Sequence, residues 1–454
     1  MDRERERDRG RDTRGLQLLI GAGPVGLATA KALGEAGVAY DHVEATDHVG
    51  GNWAHGVYET AHIISSRRTT EYTDYPMPAH YPDFPSKQQM WDYFESYADA
   101  FDLRRHIRFE TRVTEVRPRP DELWDVAFAD GRRAVYKGVI VCNGHHWKKS
   151  FPKWVDDYEG KVIHSKDYKK PDQLRGKRIL VLGGGNSGSD LVSEAARVGA
   201  SADWSLRRGY WFMPKTVFGR PSVELINPWV PVFVQRLFIR AMLRFVVGRY
   251  ENYGLPHPDH RIFDAHPTIA TEALHYLKHG RITVRPDVTR AEGDEVVFAD
   301  GARARYDLVV CATGYDVAWP FVQGIEIPYN DAKTPALYGG LMLPAHRHLY
   351  LVGAYQVRYG LGPLVRPASQ LLADWVKLQD ELPVPLGRVL QRMRVKPPRR
   401  HVMDPHRVRR AIELGRRLVP LVRSIGKRME PEQNRATPAP APAAPAPARE
   451  EVAV

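Results

Sequence analysis

Two glycine-rich segments have the residue spacing of a turn that binds the phosphates of a dinucleotide. In the first, an apolar run at 16–20 leads into Gly-Ala-Gly-Pro-Val-Gly at 21–26 and then into a helical pattern. The three glycines permit a tight turn, a close approach of the backbone to a pyrophosphate, and close packing of helix on strand. The helix N-terminus supplies N–H donors to the anion. The cofactor contacts predicted here are Gly21, Gly23, Pro24, Val25 and Gly26.

Glu44 adds a second sign of nucleotide binding to the first segment. It ends the next apolar strand, 38–43, and lies 23 residues after Gly21. A carboxylate at this distance is placed to accept hydrogen bonds from the hydroxyl groups of a ribose, whereas it would repel a 2′-phosphate. The first segment therefore predicts a site for FAD.

The second segment has the same spacing but a different residue class at the ribose position. A strand at 178–182 precedes Gly-Gly-Gly-Asn-Ser-Gly at 183–188, and two arginines follow the next strand, 202–206. Two cations at this position favour the 2′-phosphate of NADPH. The predicted NADPH contacts are Gly183, Gly185, Asn186, Ser187, Gly188, Arg207 and Arg208.

The elements around both segments predict an α/β fold with two Rossmann-like dinucleotide-binding domains. A further internal repeat indicates that the chain consists of two related halves, since Val-Ala-Phe-Ala-Asp-Gly at 126–131 resembles Val-Val-Phe-Ala-Asp-Gly at 296–301. Each Asp-Gly indicates a hairpin turn, and each is followed by an apolar strand that ends in glycine.

The order of the motifs predicts that the NADPH domain is inserted in the FAD domain. The terminal stretches alternate Arg with acids or repeat Ala and Pro, so they contain too little apolar material to form a core. The predicted ranges are 15–172 and 311–385 for a discontinuous FAD domain, 173–310 for the NADPH domain, 386–430 for a basic helical segment, and 1–14 and 431–454 for disordered tails.

The net charge of +12 is concentrated near the C-terminus. Between residues 388 and 428 there are 14 Lys or Arg, and the acids through residue 430 are Asp404, Glu413 and Glu430. Because the remainder of the chain is close to neutral, we expect no nucleic-acid partner. Arginines mixed with Leu and Ile after Pro405 predict a basic amphipathic helix, which either makes peripheral contact with an anionic membrane or forms a solvated tail.

A second amphipathic segment, 229–250, is apolar but carries arginines at four-residue spacing, at positions 236, 240 and 244. We expect it to line a substrate entrance, to touch lipid, or to pack as a plain surface helix. No apolar run approaches the ~20 residues that span a bilayer. Together with two isolated cysteines, Cys142 and Cys311, this favours a cytoplasmic protein.

With these motifs, the sequence resembles the flavin-containing monooxygenases, a family of class B flavoprotein monooxygenases, over residues 16–378. Gly50-Gly51-Asn52-Trp53 is similar to the Gly-Gly-x-Trp segment that lies beside the flavin in that family. Ala312-Thr313-Gly314 resembles its Ala-Thr-Gly motif. The stretch 158–168 is similar to the fingerprint F-x-G-x-x-x-H-x-x-x-Y, with Tyr158 in the first position and His164 and Tyr168 in the others. The cofactor contacts that the resemblance adds are Gly51, Asn52, Trp53, Thr313 and Gly314.

The resemblance implies that NADPH reduces FAD, that the reduced flavin reacts with oxygen, and that a flavin C4a-hydroperoxide transfers one oxygen atom to a small molecule. The cofactor carries the difficult step, and no catalytic side chain is assigned. Tyr168 is typical of the branch that oxygenates soft nitrogen or sulfur nucleophiles. The implied partners are therefore a small-molecule substrate and oxygen.

Ile64 is a departure from the family, in which asparagine is common at this position near the flavin. We predict that Ser65, or alternatively Ser66, replaces it as a hydrogen-bond donor. The departure leaves open an uncoupled NADPH oxidase or flavin reductase that produces hydrogen peroxide. A noncatalytic nucleotide-binding redox sensor is a further alternative.

Other chemistries find less support. A disulfide reductase needs two neighbouring thiols, but the two cysteines lie in separate apolar runs. His164 is either a structural histidine or an acid or base, and the first interpretation is favoured. The histidines at 257, 260, 266 and 275 fall in a proline-containing stretch without ligand spacing, so no metal site is predicted. A helix expected from about Ala368 would place Ser369 and Gln370 near the flavin.

Overall fold

A computed structural model describes residues 12–225, 230–330, 333–358 and 360–430. The disorder predicted for residues 1–11 and 431–454 lies outside the described residues. In chain order, the strands are β1 Gln17–Ile20, β2 Tyr40–Val43, β3 Ile107–Arg108, β4 Val113–Pro118, β5 Trp124–Phe128, β6 Arg133–Tyr136, β7 Gly138–Val141, β8 Lys148–Lys149, β9 Val162–His164, β10 Arg178–Leu182, β11 Ser201–Ser205, β12 Phe212–Met213, β13 Thr216–Val217, β14 Arg220–Pro221, β15 Thr268–Ile269, β16 Thr283–Arg285, β17 Val288–Glu292, β18 Glu295–Phe298, β19 Arg303–Arg305, β20 Leu308–Cys311, β21 Tyr315–Asp316, β22 Leu349–Leu351, β23 Gln356–Val357 and β24 Val402–Met403. The α-helices are α1 Pro24–Glu35, α2 Arg67–Thr70, α3 Lys87–Ala100, α4 Asn186–Val198, α5 Val232–Val246, α6 Thr271–Lys278, α7 Gly362–Glu381, α8 Leu386–Arg392, α9 Pro405–Arg417 and α10 Val419–Lys427.

The first sheet has the order β22-β7-β1-β2-β3, and its neighbouring strands are parallel. Every residue of β1 is buried, as expected for a strand covered on both faces. Helix α1 packs against α7 beside this sheet. Because β22 comes from the far end of the chain, the first sheet is assembled from two separate parts of the sequence.

The second sheet is also parallel and has the order β16-β11-β10-β20-β9. It contains both β10, which leads into the second glycine-rich segment, and β20, which ends at Cys311. Strand β9 pairs with β20 and precedes residue 173, the expected start of the NADPH domain. The second sheet therefore draws on residues from both sides of that expected boundary.

The repeated segments 126–131 and 296–301 lie in two three-stranded antiparallel sheets, β4-β5-β6 and β17-β18-β19. In each, an aspartate side chain closes the Asp-Gly hairpin. Asp130 Oδ1 accepts a hydrogen bond from the N–H of Arg132 at 3.1 Å, and Asp300 Oδ1 accepts one from the N–H of Ala302 at 3.0 Å. The two halves of the chain are thus alike outside the glycine-rich segments as well.

The chain passes between the two sheets through segments that lie side by side. After β7 it runs through β8, and after β20 it runs through β21, and these two short strands pair antiparallel. In the register, Lys149 lies opposite Tyr315. The pairing of β8 with β21 therefore holds together the two chain segments that connect the sheets.

The basic segment 386–430 is largely helical, and most of its apolar side chains face the body. Helices α9 and α10 pack on α7, with Ile412 and Val422 buried. Strand β24 pairs with β23. Within the described part of the chain, no helix is long and apolar enough to cross a membrane.

Helix α7 begins at Gly362, before the expected start near Ala368. Ser369 is consequently in the helix interior, where its hydroxyl lies 3.4 Å from that of Thr29 on α1. The expected helix start near Ala368 was therefore wrong, and Ser369 does not lie at the helix N-terminus. Pro363 is accommodated because a proline in the first turn of a helix gives up an N–H that has no partner there, whereas Pro367 lies inside the helix.

Candidate functional site

The first turn, residues 21–26, has the shape that its glycines predict. Gly21 has a φ of +101°, and a Cβ at this position would lie 2.7 Å from the carbonyl oxygen of Cys142. A Cβ on Gly26 would collide with the carbonyl oxygen of Gly21. A side chain at either position would therefore open the turn or separate α1 from the sheet.

The second turn, residues 183–188, repeats this geometry. Gly183 has a φ of +103°, and a Cβ there would lie 2.6 Å from the carbonyl oxygen of Ala312. A Cβ on Gly188 would collide with Gly183. The residues before the helices also agree, with φ −72° and ψ −178° at Gly23 and φ −78° and ψ −180° at Gly185. The two halves of the chain build the same turn.

Each turn presents the N-terminus of a helix. Helix α1 begins at Pro24 and continues with Val25, and α4 begins at Asn186 and continues with Ser187. The unpaired N–H groups and the helix dipole at such an end favour a phosphate. Asn186 also has a structural role, because its Oδ1 accepts a hydrogen bond from the N–H of Ile269 at 2.8 Å. Its NH₂ group remains for a cofactor.

Glu44 follows β2 and holds its carboxylate against the first turn. Its Oε2 accepts a hydrogen bond from the N–H of Ala22 at 2.7 Å, and its Oε1 accepts one from the N–H of Thr46 at 3.0 Å. These bonds keep a buried carboxylate at the carboxyl edge of the first sheet. Parallel sheets bind nucleotides at that edge.

Arg207 and Arg208 follow β11 at the corresponding edge of the second sheet, and both are exposed. The guanidinium carbon of Arg208 lies 5.3 Å from the ring centroid of Tyr210. The ring of Tyr210 in turn covers Gly184, so that a Cβ on this glycine would meet it. Sequence reasoning missed Tyr210, although its nearness to the two arginines was a signal. The second turn thus differs from the first by exposed cations and an aromatic ring.

The Gly-Gly-x-Trp segment crosses the first turn. A Cβ on Gly51 would lie 3.0 Å from the Cα of Gly23, so these two backbones are in close contact. Asn52 begins a single π-helical turn, Asn52–Gly56, and Trp53 packs against the core that contains α1 and α7. The structure therefore brings Gly51, Asn52 and Trp53 next to the first turn.

Asn143 is a candidate that the sequence did not single out. It follows Cys142 at the end of β7, and its backbone nitrogen lies 3.5 Å from the position of a Cβ on Gly21. Its side-chain Oδ1 is buried and has no hydrogen-bond partner among the residues that the structure describes. A buried acceptor without a partner is costly, so its presence beside the first turn fits a ligand that donates a hydrogen bond there. The sequence similarity between 139–144 and 309–314 was the signal that could have indicated Asn143.

The fingerprint residues connect the second sheet to the segment after Asn52. Lys166 donates a hydrogen bond to Asn52 Oδ1, and Lys169 Nζ donates one to the carbonyl oxygen of His55 at 2.9 Å. Burial lowers the pKa of Lys166 to about 8, and the neighbouring Lys169 acts in the same direction. The ammonium group of Lys166 is therefore partly removed from water, and it binds Asn52, a predicted cofactor contact.

Further contacts join the same segment to α4, the helix of the second turn. The hydroxyl of Tyr58 donates a hydrogen bond to Asp190 Oδ2 at 2.6 Å, and Thr60 Oγ1 donates one to Glu194 Oε2 at 2.8 Å. Burial raises the pKa of Asp190, and the Tyr58 bond opposes that rise. The Tyr168 hydroxyl lies 3.4 Å from Glu194. Sequence reasoning missed Tyr58 and Asp190.

Thr313 and Gly314 lie beside the second turn, immediately after β20. Thr313 Oγ1 donates a hydrogen bond to the carbonyl oxygen of Ser150, which belongs to the other connection between the sheets. The Nε2 atom of His164 lies 3.0 Å from the carbonyl oxygen of Gly314. Burial lowers the pKa of His164, which favours the neutral imidazole that donates this bond. These contacts fit a structural histidine.

Ser65 and Ser66 have different surroundings near Ile64. Ser66 is fully buried and caps α2, where its hydroxyl accepts a hydrogen bond from the N–H of Thr69. Ser65 Oγ lies 2.7 Å from the Thr70 hydroxyl. Since the hydroxyl of Ser66 is used by the cap, Ser65 is the better candidate for a contact with a cofactor.

One group in the described part of the chain has the arrangement of metal ligands. One ligand atom from each of Asp47, His48 and His55 lies within 4.8 Å of the others. Asp47 is largely exposed and its Oδ1 lies 2.5 Å from His48 Nδ1, so its carboxylate already has a partner. The four histidines at 257–275 are not part of this group.

Residues 17–377 match the family model for flavin-binding monooxygenase-like proteins. The chain belongs to this family. It is 30% identical over 417 residues to the flavin-containing monooxygenase 5 of Oryctolagus cuniculus, covering 83% of this chain and 77% of the relative. It is 31% identical over 396 residues to the dimethylaniline monooxygenase [N-oxide-forming] 2 of Macaca mulatta, covering 79% and 72%.

A solved structure agrees in fold. The closed crystal structure of cyclohexanone monooxygenase aligns with a TM-score of 0.69 at 18% identity, covering 92% of this chain and 99% of that one. The predicted α/β fold with two Rossmann-like domains is confirmed. As a member of the flavin-binding monooxygenase-like family, the chain is an NADPH-dependent monooxygenase that contains FAD, as the two turns predict.

Proposed function

We propose that FAD binds at the first turn and NADPH at the second, and that the flavin-binding monooxygenase uses them to oxygenate a soft nitrogen or sulfur atom. One observation carries the assignment of the cofactors. The two turns have equal geometry, but the side chains near them carry opposite charges. The first turn lies beside the buried carboxylate of Glu44, and the second is followed by the exposed guanidinium groups of Arg207 and Arg208. A carboxylate suits a ribose diol and cations suit a 2′-phosphate.

The proposed contacts of FAD are Gly21, Gly23, Pro24, Val25, Gly26, Glu44, Gly51, Asn52, Trp53 and Ser65, with Asn143 as an addition from the structure. Those of NADPH are Gly183, Gly185, Asn186, Ser187, Gly188, Arg207, Arg208, Thr313 and Gly314. When bound, the flavin supplies the electron transfer and the activation of oxygen. The protein orients the two cofactors and excludes water. Contacts between the halves, through Lys166 and Tyr58, support the orienting role.

We propose tertiary amines and thioethers as the substrate class. Tyr168 has the residue type of the nitrogen- and sulfur-oxygenating branch, and a relative at 31% identity is named for N-oxide formation from dimethylaniline. An NADPH oxidase is the second candidate function, because Ile64 has no polar group where family members commonly carry an asparagine. An apolar side chain donates no hydrogen bond to hold an oxygenated cofactor.

The test is steady-state turnover of the FAD-loaded protein with NADPH and oxygen. N,N-dimethylaniline, methyl phenyl sulfide and cyclohexanone are supplied separately, and product and hydrogen peroxide are both quantified. The proposal expects N-oxide or sulfoxide in amounts close to the NADPH consumed. Peroxide equal to the NADPH consumed with all three substrates would favour the oxidase. Lactone from cyclohexanone alone would contradict the substrate class.

The division into domains and the location of the protein are also proposals. We assign residues 173–310 to the NADPH domain, together with β9, because β9 pairs with β20 in the second sheet.

The two cysteines are buried and free, which supports a reducing, cytoplasmic location. For the basic segment we propose only an electrostatic contribution to contact with an anionic membrane, because the buried Ile412 and Val422 are not available for insertion.

A further inference from the structure

Helix α5 exposes an apolar stripe on the side that faces away from the protein. Its buried residues, Gln235, Ile239 and Leu243, recur every four positions and define the inner face. On the opposite side, the exposed residues Val234, Leu237, Phe238, Ala241 and Phe245 share one face, because each lies three or four positions from another member of the set. The exposed fractions are 71% for Leu237, 59% for Phe238 and 85% for Phe245. Aromatic side chains this exposed are uncommon on a surface without a partner.

The stripe is bordered on one side by positive charge. Arg236, Arg240 and Arg244 lie at four-residue spacing along the flank of the helix, and the sequence has no Asp or Glu between Glu224 and Glu251. Arg236 pairs with Asp264. In the described part of the chain, Arg240 and Arg244 form no ion pair with an acid. An apolar face with a flank of unpaired arginines is typical of a helix that lies in the interface of an anionic bilayer.

A cavity opens beside the same flank. It has a volume of about 570 Å³, and its wall includes Arg240, Arg261 and His257. Asp259 and Asp264 also line it, but Asp264 already pairs with Arg236 and Arg400. His257 also pairs, with Glu251, so Arg240 and Arg261 are the cations that offer a place for an anionic headgroup while the acyl chains meet the stripe.

The C-terminal basic helices lack this arrangement. The apolar residues of α9 and α10 are mostly turned toward α7, and only Leu414 and Leu421 are substantially exposed, at 55% and 47%. A second copy of this chain fits the α5 stripe less well than lipid. A twofold interface that buries the stripe of one α5 against the other would place the arginine flanks of both copies at its edge, whereas the phosphates of an anionic bilayer neutralise them.

We propose that α5 is a membrane-docking helix, whose stripe of Val234, Leu237, Phe238, Ala241 and Phe245 enters the headgroup region of an anionic bilayer. Arg240 and Arg244 bind the lipid phosphates beside it. The helix has 15 residues, or about 22 Å at 1.5 Å per residue, and lies along the membrane surface. This inference does not depend on the proposed reaction, because lipid binding is measured without turnover.

The experiment is flotation of the full-length, FAD-loaded protein with vesicles of phosphatidylcholine, alone or mixed with phosphatidylglycerol. We expect binding to the mixed vesicles and about tenfold weaker binding for L237Q/F238Q/F245Q, because three exposed apolar side chains are replaced. The matched control L414Q/L421Q, with the exposed leucines of the C-terminal helices replaced, should bind like the wild type. The variant R240Q/R244Q should lose about fivefold per arginine and depend less on salt.

Three results would overturn the proposal. The first is wild-type protein that does not float with anionic vesicles. The second is a loss of binding in L414Q/L421Q but not in L237Q/F238Q/F245Q, which would assign docking to the C-terminal helices. The third is a wild-type dimer that the α5 variant converts to a monomer without any change in lipid binding, as light scattering would show. Flavin absorbance and circular dichroism verify that each variant is folded.

Discussion

The hydroxyl of Tyr58 donates a hydrogen bond to Asp190 Oδ2 at 2.6 Å. Tyr58 follows the Gly-Gly-x-Trp segment beside the first turn, and Asp190 lies in α4, the helix that begins at the second turn. This bond joins the surroundings of the two proposed cofactor sites, as does the bond from Thr60 to Glu194. Burial raises the pKa of Asp190, so the carboxyl group depends on its partner in this low-polarity position.

Tyr58→Phe should destabilise the protein because it leaves the Asp190 oxygen without its donor. Loss of one partner of a buried hydrogen bond costs about 1–3 kcal/mol. The measurement is the free energy of unfolding in urea. Tyr329→Phe is the matched control, because the Tyr329 hydroxyl also donates a hydrogen bond, to the carbonyl oxygen of Val317 at 2.9 Å, but lies at the surface. Equal losses in the two variants would argue against a special role for the Tyr58 contact.

Gly188→Ala should abolish tight binding of NADP⁺ while FAD is retained. A Cβ at Gly188 collides with the backbone of Gly183 and distorts only the second turn. Binding is measured by calorimetric titration with NADP⁺, and FAD by its absorbance after gel filtration. Gly34→Ala, in α1, is the control, because no atom lies within 4 Å of its Cβ position and alanine favours a helix. Loss of FAD from Gly188→Ala with unchanged NADP⁺ affinity would reverse the assignment of the turns.

The parts that the sequence predicted are those encoded by local spacing. Gly21 and Gly26 specify a turn through backbone constraints that any chain with this spacing shares, and the repeat at Gly183 and Gly188 specifies the second. The order of the two motifs was enough to predict an inserted arrangement.

The parts that it missed depend on tertiary contact. Tyr58 and Asp190 are 132 positions apart, and neither lies in a recognisable motif. Asn143 became a candidate because its backbone nitrogen lies beside Gly21 and its buried Oδ1 has no hydrogen-bond partner among the described residues. Helix α7 started early because Pro363 is accommodated in its first turn, whereas prolines in a sequence usually indicate a break.

Arg207→Gln and Arg208→Gln should each shift the cofactor preference toward NADH. Hydrogen bonds to a charged phosphate contribute about 1.5–3 kcal/mol, so the ratio of kcat/KM for NADPH to that for NADH should fall by about tenfold to a hundredfold. Arg290→Gln, on the exposed strand β17, is the control and should leave the ratio unchanged. An unchanged ratio in both test variants would contradict the proposed site of the 2′-phosphate.

Lys166 should make the stability of the protein depend on pH in the alkaline range. Its pKa is lowered from 10.5 to about 8, so above pH 8 the unfolded state binds the proton more tightly than the folded state. The folded protein should therefore gain stability relative to Lys166→Met as the pH rises from about 8 toward 10.5. Urea unfolding of both proteins across this range measures the difference. A difference that is constant with pH would mean that the ammonium group is not desolvated.

We expect this chain to couple NADPH oxidation to oxygen transfer, even though Ile64 occupies a position that is commonly asparagine. The decisive measurement is to reduce the FAD-loaded protein with NADPH, mix it rapidly with oxygen, and record the flavin spectrum and the peroxide released. We predict a transient absorbance that differs from those of oxidised and reduced flavin, with little peroxide. Direct return to the oxidised spectrum with one peroxide per flavin would show that oxygen transfer is uncoupled and would identify the protein as an NADPH oxidase.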